Sequence, residues 1–415
     1  MKYSIGIDWA DKSHMVCIRE YGTRRIMAEF EVPNSAEGLD RLESTRQALG
    51  VEADECGVAL ETNQGMLVNG LLALNYRIHP IPPAAVKDYR GRRRRTGAKS
   101  DRDDAQILAD ILCQDLSLFP PLANDSPLAK EIRATCRARK QVVESRIRVL
   151  NQFRQNLKAY FPAAAGLFSR LDSPILYAFL QAFPTHQAAQ AASDKDLRAF
   201  FRQQGYSRPD RIPGIIGKLR EKAIPVPDWQ AEAGRQLTAA LLDQLVVLCE
   251  HIDRLEKRLA HLLDQHPDAP LFLSLPRVST IIAAGMLGEM GDCRNKFDDH
   301  AALQALAGTA PITIQSGGSR RVLFRFACNK PLRDLFQAFA RQSARADASA
   351  WARGYLAGQL ERGHSPSRAY RALANRWVCI IFRMWQDRTL YDESYHLHNI
   401  AQRGVKSPPT FAQVA

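Results

Sequence analysis

The first eight residues, MKYSIGID, alternate Tyr3, Ile5 and Ile7 with Ser4, Gly6 and Asp8. That is the two-residue period of a β-strand, here one that ends on a carboxylate. Two further runs, Met15 to Glu20 and Arg25 to Val32, are joined by the turn-like Tyr21-Gly22-Thr23, so three consecutive strands predict an antiparallel meander. Asn34, with Glu37 three residues on, predicts the cap of a helix whose apolar face is Leu39, Leu42 and Leu49. A short strand at Cys56 to Leu60 then delivers Glu61, a helix spans about Met66 to Leu74, and a strand follows at Ile78 to Ile81. Pro80, Pro82 and Pro83 are expected to stop regular structure there. A last helix at Asp101 to Leu116 completes a βββαβαβ order followed by a helix, which predicts an α/β domain over residues 1–125.

Beyond it the chain reads as all-α. From Glu131 to Tyr160 the apolar positions Ile132, Val143, Ile147, Leu150 and Leu157 recur at multiples of three and four, predicting a long helix. Its remaining positions, read as exposed, hold Arg133, Arg137, Arg139, Lys140, Arg146, Arg148, Arg154 and Lys158. Residues 163–230 carry several prolines and weaker periodicity, the mark of a small helical insertion. A second long helix at Leu237 to Leu263 places Leu241, Leu245, Leu248, Ile252, Leu255, Leu259 and Leu262 at coiled-coil spacing, to pair either within the chain or across a dimer. Residues 126–265 therefore form a segment of long helices. Residues 266–395 are expected to hold a helical domain, opening on a short hairpin of helices and containing the loop PITIQSGGSRR, and residues 396–415 a flexible tail.

Lys and Arg total 57 against 44 for Asp and Glu, a net charge of +13 that favours a polyanionic partner. The excess concentrates between Ser316 and Arg388, where 13 Arg and one Lys meet four acidic residues. The eight cysteines are scattered with no C-x-x-C pair, which excludes a zinc ribbon and reads as thiols of a reducing cytoplasm. No apolar run approaches the roughly 18 residues needed to span a bilayer, and Asp8 interrupts what a signal peptide would keep apolar.

Four carboxylates stand out. Asp8 ends the first strand, Glu61 ends the fourth, and Asp101 and Asp104 lie three apart on one helical face. Acidic side chains converging on one place repel unless cations occupy it, and magnesium bound by carboxylate oxygens is the expected solution. A single Asp at a strand end is more often a turn residue than a ligand; the set of four on this pattern is what points to a metal site. Asp11, Asp103 and Asp110 are expected to be solvated.

Ser316 on its own reads as a solvated turn residue. Gly317 and Gly318 permit close backbone approach, and Arg320, Arg321 and Arg325 supply the charge that a serine attacking a phosphate requires. The run RGRRRR places Arg90, Arg92, Arg93, Arg94 and Arg95 just before the acidic helix, either as a solvated loop or as a phosphate clamp feeding nucleic acid to the carboxylates. Trp351, Tyr355, Tyr370, Trp377 and Trp385 interleave with arginines at helical spacing and read mainly as core.

GIDWADKSH, ALETNQG and KSDRDDA resemble the three motifs of the RNase H-like (RuvC-like) domain of DEDD-type insertion-sequence transposases of the IS-one-ten family, and LPRVSTIIAAGMLGEMGD, FDDHAALQALAGTAPITIQSGGSRR and NKPLR resemble its C-terminal transposase domain. The resemblance maps the four acidic positions onto Asp8, Glu61, Asp101 and Asp104 and the nucleophilic serine onto Ser316, with Ser319 as rival; it also matches Asn329, Leu332 and Arg333. Two departures are visible: the usual P-G-I-G reads Pro276-Arg277-Val278-Ser279, and K-x-G-N reads Phe326-Ala327-Cys328-Asn329. What it implies is an α/β plus all-α protein with an RNase H-like domain, central coiled-coil helices and a C-terminal serine-bearing domain. The implied activity is excision and insertion of a mobile element through a covalent phosphoserine. Magnesium, donor and target DNA, a structured non-coding (bridge) RNA, and a homo-oligomer, dimer or tetramer, sharing sites between subunits complete the expectation. The alternatives are a RuvC-like magnesium nuclease in which water attacks, or a basic RNA-binding protein with a degenerate fold.

Overall fold

Alternating apolar residues in Tyr3–Asp8 (β1) place this strand at the centre of a five-stranded sheet. The architecture comes from a computed structural model that describes residues 1–93, 100–222 and 224–402. The chain divides into two compact units, Met1–Asp125 and Ser126–Ala415.

In the first unit β1 pairs antiparallel with Ser13–Glu20 (β2), and β2 with Ile26–Pro33 (β3), as the meander predicts. On its other side β1 pairs parallel with Cys56–Leu60 (β4), which pairs parallel with Arg77–Pro80 (β5), giving the order β3-β2-β1-β4-β5. Ala36–Ala48 (α1) and Met66–Ala73 (α2) cover one face; Ile5, Ile7, Val58 and Leu60 meet Leu42, Leu67 and Leu71 there. The cap of α1 is Ser35, whose hydroxyl accepts from the Gly38 N–H, rather than Asn34. Asp101–Asp115 (α4) lies on the other face, following a helix at Pro83–Arg93 (α3) that the sequence reading missed. The prolines mark where β5 ends, and Pro83 opens a helix, since its fixed φ suits a first turn.

Gly6 lets α4 approach. A Cβ on it would lie 2.0 Å from the Ala105 carbonyl oxygen and 2.5 Å from the Ala109 nitrogen. Ser4, fully buried, donates to the Ala109 carbonyl at 2.5 Å. Asp110 is not solvated as expected: it pairs with the largely buried Arg19 of β2 at 3.1 Å, because both extend into the layer between α4 and the sheet.

The second unit is built on two long antiparallel helices, Pro127–Tyr160 (α5) and Asp228–Asp264 (α10). Asn156 donates to the Gly234 carbonyl and Thr238 hydroxyl near one end, and Arg139 pairs with Glu256 at 2.8 Å towards the other. The leucine-spaced face thus packs within the chain: Leu241, Leu245, Ile252, Leu259 and Leu262 are buried. Several arginines of α5 expected on the surface are half-buried and tied to other elements. Arg133 donates to the Gly288 carbonyl, Arg137 grips Glu289, and Arg146 pairs with Asp172. Their acidic partners are distant in sequence, so local spacing misplaces them. Residues 163–230 form four short helices, Pro174–Ala182 (α6), His186–Ala191 (α7), Asp194–Gln203 (α8) and Ile212–Arg220 (α9), whose core includes Phe161, Phe179 and Phe201.

Ala269–Leu273 (α11), Thr280–Met290 (α12) and His300–Leu306 (α13) lead to a two-stranded ribbon, Ile312–Ser316 (β6) and Ser319–Leu323 (β7), where an irregular loop is expected. Lys330–Ser343 (α14), Ala350–Glu361 (α15) and Pro366–Asp387 (α16) follow and bury Trp351, Trp377 and Trp385. Part of the expected flexible tail is helix, Glu393–Gln402 (α17). Among the described residues no helix is long and apolar enough to cross a membrane.

Candidate active site

The carboxylates come from elements that the sheet register brings together. Side chains two apart on a strand share a face. Ser4 and Gly6 face α4, so Asp8, two residues on, does too. Parallel pairing sets Gly6 beside Ala59 and Ile7 beside Leu60. Glu61 therefore follows at the same level as Asp8, at adjoining strand ends. The helix runs the other way. Ser4 meets Ala109 and Gly6 meets Ala105, so two residues along β1 correspond to four along α4, and the next step brings Asp8 level with Asp101.

Asp8 is half-buried, Glu61 and Asp101 are exposed, and Asp104 is only 2% exposed. Arg90 on α3 engages Asp104 with both Nε, at 3.0 Å, and Nη2, at 2.5 Å, from one carboxylate oxygen. Among the described residues no three acidic, histidine or cysteine side chains gather closely enough to hold a metal ion. The donor chemistry nevertheless fits a hard divalent cation: aligned strand ends and a facing helix offer carboxylate oxygens, and the buried one already carries a cationic partner. Asp103, expected to be solvated, belongs to the helix cap; Ser100 donates to its carboxylate at 2.7 Å and accepts from its N–H.

Spacing alone did not reveal the anchor that fixes the start of α4. Glu29 of β3 accepts from Arg102 Nε at 3.0 Å and from Gln106. Burial disfavours the Glu29 charge, but those hydrogen bonds outweigh it and hold the carboxyl below its usual range. Arg92 stacks its guanidinium on Tyr89, 5.2 Å from the ring centre. Arg94 and Arg95 lie outside the described residues, as does the side chain of Arg93.

Ser316 occupies the last position of β6, opposite Ser319, and the turn between them is Gly317-Gly318. Gly317 has φ +54°, the left-handed region that glycine enters without a Cβ clash. The ribbon is exposed along nearly its whole length. Cross-strand register puts Ser316 on the face that carries Ile314 and Arg321, while Arg320 opposes Gln315 on the other. Arg325 donates to the Ala310 carbonyl at 3.3 Å, tying the base of the ribbon. Arg333 lies 5.8 Å from the centre of the Phe324 ring.

A buried group on α12 was not singled out by the sequence. Glu289, its side chain 2% exposed, takes Arg137 in a fork at 2.8 and 2.9 Å and the Asn329 side-chain N–H at 2.8 Å. Burial works against the charge, yet hydrogen bonds from Arg137 and Asn329 and the nearby charges of Arg137 and Arg133 keep the Glu289 carboxyl below its usual range. Asn329 also caps α14 by accepting from the Leu332 N–H at 3.0 Å.

The family model of DEDD-type IS110 transposases matches residues 5–162, and the one described as Transposase IS116/IS110/IS902 family matches residues 269–356. The "Mini-circle putative transposase for IS117" of Streptomyces coelicolor is 33% identical over 398 residues, 94% of this chain and 95% of that protein. The chain belongs to the IS110 family of transposases. A 42 kDa protein of insertion element IS900 from Mycobacterium paratuberculosis is 25% identical over 93% of this chain and 96% of its own. The 43.6 kDa protein of insertion element IS110 from Streptomyces coelicolor is 26% identical over 71% of this chain and 72% of its own. An IS110-family transposase is an enzyme that cuts and recombines DNA, and the five-stranded sheet of this one is that of its RNase H-like DEDD domain. The first match contains Asp8, Glu61, Asp101 and Asp104, and the second contains the whole β6–β7 ribbon with Ser316 and Ser319.

Proposed function

We propose that this transposase moves its element by strand exchange through a phosphoserine on Ser316. The observation that carries the reading is the position of that hydroxyl: exposed at the apex of a ribbon, beside a left-handed glycine, and with Arg321 on the same face. Ser316 Oγ attacks the phosphorus, the new O–P bond forms as the bond to the 3′-oxygen breaks, and the serine proton leaves on the 3′-hydroxyl. A 3′-hydroxyl from another strand reverses the step and releases the serine. The phosphodiester energy is conserved in the serine ester, so no ATP is consumed.

Arg321 and Arg320 neutralise the phosphate during attack. Asp8, Glu61, Asp101 and Asp104 would hold magnesium, which would supply positive charge for the scissile phosphate and favour the ionised form of the attacking hydroxyl. Asp104 would then give up its hydrogen bonds from Arg90. Arg90, Arg92, Arg93, Arg94, Arg95, Arg325 and Arg333 contribute to nucleic-acid binding, and a structured RNA from the element selects donor and target DNA. The enzyme acts in the cytoplasm as a dimer or tetramer in which a serine and a carboxylate set from different subunits work together.

Denaturing electrophoresis with labelled DNA tests this. Wild type gives a protein–DNA adduct and Ser316→Ala gives none, while DNA binding persists because no charge is lost. An adduct formed by Ser316→Ala but not by Ser319→Ala transfers the role to the rival serine. DNA cleavage with no adduct favours a nuclease in which water attacks. Mixing Glu61→Gln with Ser316→Ala, each inactive alone, restores the adduct if subunits share sites; mixed oligomers without adduct refute sharing.

A further inference from the structure

We propose that Phe326, backed by a Phe324 ring that carries Arg371 and Arg333, is a stacking platform for one unpaired base of the DNA strand attacked by Ser316. This rests on the reading of Ser316 as a nucleophile for DNA. Phe326 is 74% exposed, and neither it nor Phe324 belongs to the hydrophobic core of its unit. The rings meet edge to face, with centroids 4.8 Å apart and planes at 82°, so Phe326 is held with one partner and presents the rest of its surface to solvent. The Arg371 guanidinium lies 4.5 Å from the Phe324 centre and that of Arg333 lies 5.8 Å from it.

Protein-docking patches are enriched in aromatics and in arginine alike, so what favours nucleic acid here is positive charge left without a carboxylate. Two guanidinium groups lie against Phe324, and Arg371 has no carboxylate partner among the described residues, whereas Arg333 lies 3.4 Å from Asp334. An exposed ring whose neighbour carries cations matches a base with its phosphate, because every base offers a π-face and the backbone an anion.

The link to Ser316 is what points to DNA. Leu323 pairs with Ile312 at its base and Ser319 with Ser316 at its tip. From Ser319 to Phe324 is roughly 16 Å at the strand rise of about 3.3 Å, or about five base steps of 3.4 Å. A strand running from Ser316 down the ribbon reaches the two rings. A base paired and stacked in a duplex has no free face for them, and strand exchange leaves bases unpaired beside the break.

Full-length protein carrying Ser316→Ala, which prevents cleavage, is titrated with a duplex containing a short single-stranded gap with 2-aminopurine in it. Controls are the fully paired duplex and single-stranded RNA of the gap sequence. Adding Phe326→Ala weakens binding of the gapped DNA about tenfold and abolishes fluorescence quenching, with little effect on the paired duplex. Phe326→Trp restores both, and Phe326→Leu restores neither. Equal affinity with and without the Phe326→Ala change overturns the proposal. So does full rescue by leucine, which marks an apolar docking surface, or a loss confined to RNA. Melting curves identical to the parent protein exclude unfolding, as expected for so exposed a ring. Adduct formation by protein with native Ser316 is scored separately: adduct without any Phe326 effect removes the platform and leaves the serine, and Phe326-dependent quenching without adduct does the reverse.

Discussion

Replacing Gly6 by alanine tests whether the close approach of α4 to β1 is what sets the start of α4 level with the end of β1. The added methyl would sit 2.0 Å from the Ala105 oxygen, so α4 must retreat by about 1.4 Å (3.4 − 2.0) to reach ordinary contact. Both near obstacles are backbone atoms of one helix, which leaves no side chain to swing aside. Overpacking of a tight interior costs about 1–3 kcal/mol, and losing the buried Ser4–Ala109 hydrogen bond adds about 1 kcal/mol or more. A total of about 2–4 kcal/mol lowers the melting temperature of the first unit by roughly 8–16 °C. Calorimetry of the full chain measures the transition, and hydrogen exchange of residues 101–115 reports on α4 directly. Gly22→Ala is the control, since its φ of +95° penalises alanine but its Cβ meets nothing within 4 Å. Where the Gly6→Ala protein still folds, a displacement of about 1 Å in Asp101 and Asp104 is enough to cost about a hundredfold in strand cleavage. Wild-type melting, exchange and cleavage together would refute the role given to Gly6.

Arg90→Ala removes the guanidinium from a carboxylate whose side chain is 3% exposed, and should cost roughly 3 kcal/mol in metal-free buffer. Magnesium should shrink that penalty, since it takes the place of the lost charge; thermal melts with an equal penalty with and without magnesium would show that Asp104 does not bind it. Glu289→Gln should destabilise the second unit by roughly 2 kcal/mol at neutral pH, a figure discounted because Arg137 is 40% exposed. The folded carboxyl lies below its ordinary value, so its stabilisation is complete above the unfolded value near 4.3 and disappears as pH falls through the folded one. Urea melts of wild type and mutant should therefore converge in acid; a difference that grows below pH 4 would contradict the sign.

Much of the first unit was legible because its signals are local. Cys56–Leu60 is a strand at its expected limits, and Asp8 and Glu61 end adjoining strands. What escaped needed partners far away in sequence. Gly6 reads as a polar-face position in an alternating strand; only the helix a hundred residues later shows why it lacks a side chain. The arginines of α5 read as a basic surface, but Glu289 and Glu256, their partners, follow more than a hundred residues on. Pro82-Pro83 reads as a stop and proves to be a helix start. The Ser316–Ser319 hairpin had a visible signature, two glycines between two short runs, yet polar residues stand on both faces, Ser316 and Arg321 on one and Gln315 and Arg320 on the other, so the alternation that normally announces a ribbon is weak.

The two sets of candidate catalytic residues stand on supports of opposite character, and phosphoryl transfer gives a reason. Carboxylates that gather on a cation must keep their spacing against mutual repulsion, which calls for a stiff frame: a β1 buried through its middle, a helix seated on a missing Cβ, and Glu29 holding Arg102 and Gln106. In the strand exchange proposed above, the phosphorus on Ser316 loses one 3′-oxygen and later accepts another, so two strands must reach it in turn. An exposed two-stranded ribbon, tied at its base through Arg325 and turning on a left-handed glycine, leaves Ser316 open to both strands. Stiffening that turn, for example by Gly317→Ala at φ +54°, should therefore depress the adduct more than it depresses DNA affinity, since backbone strain there moves the hydroxyl and removes no charge.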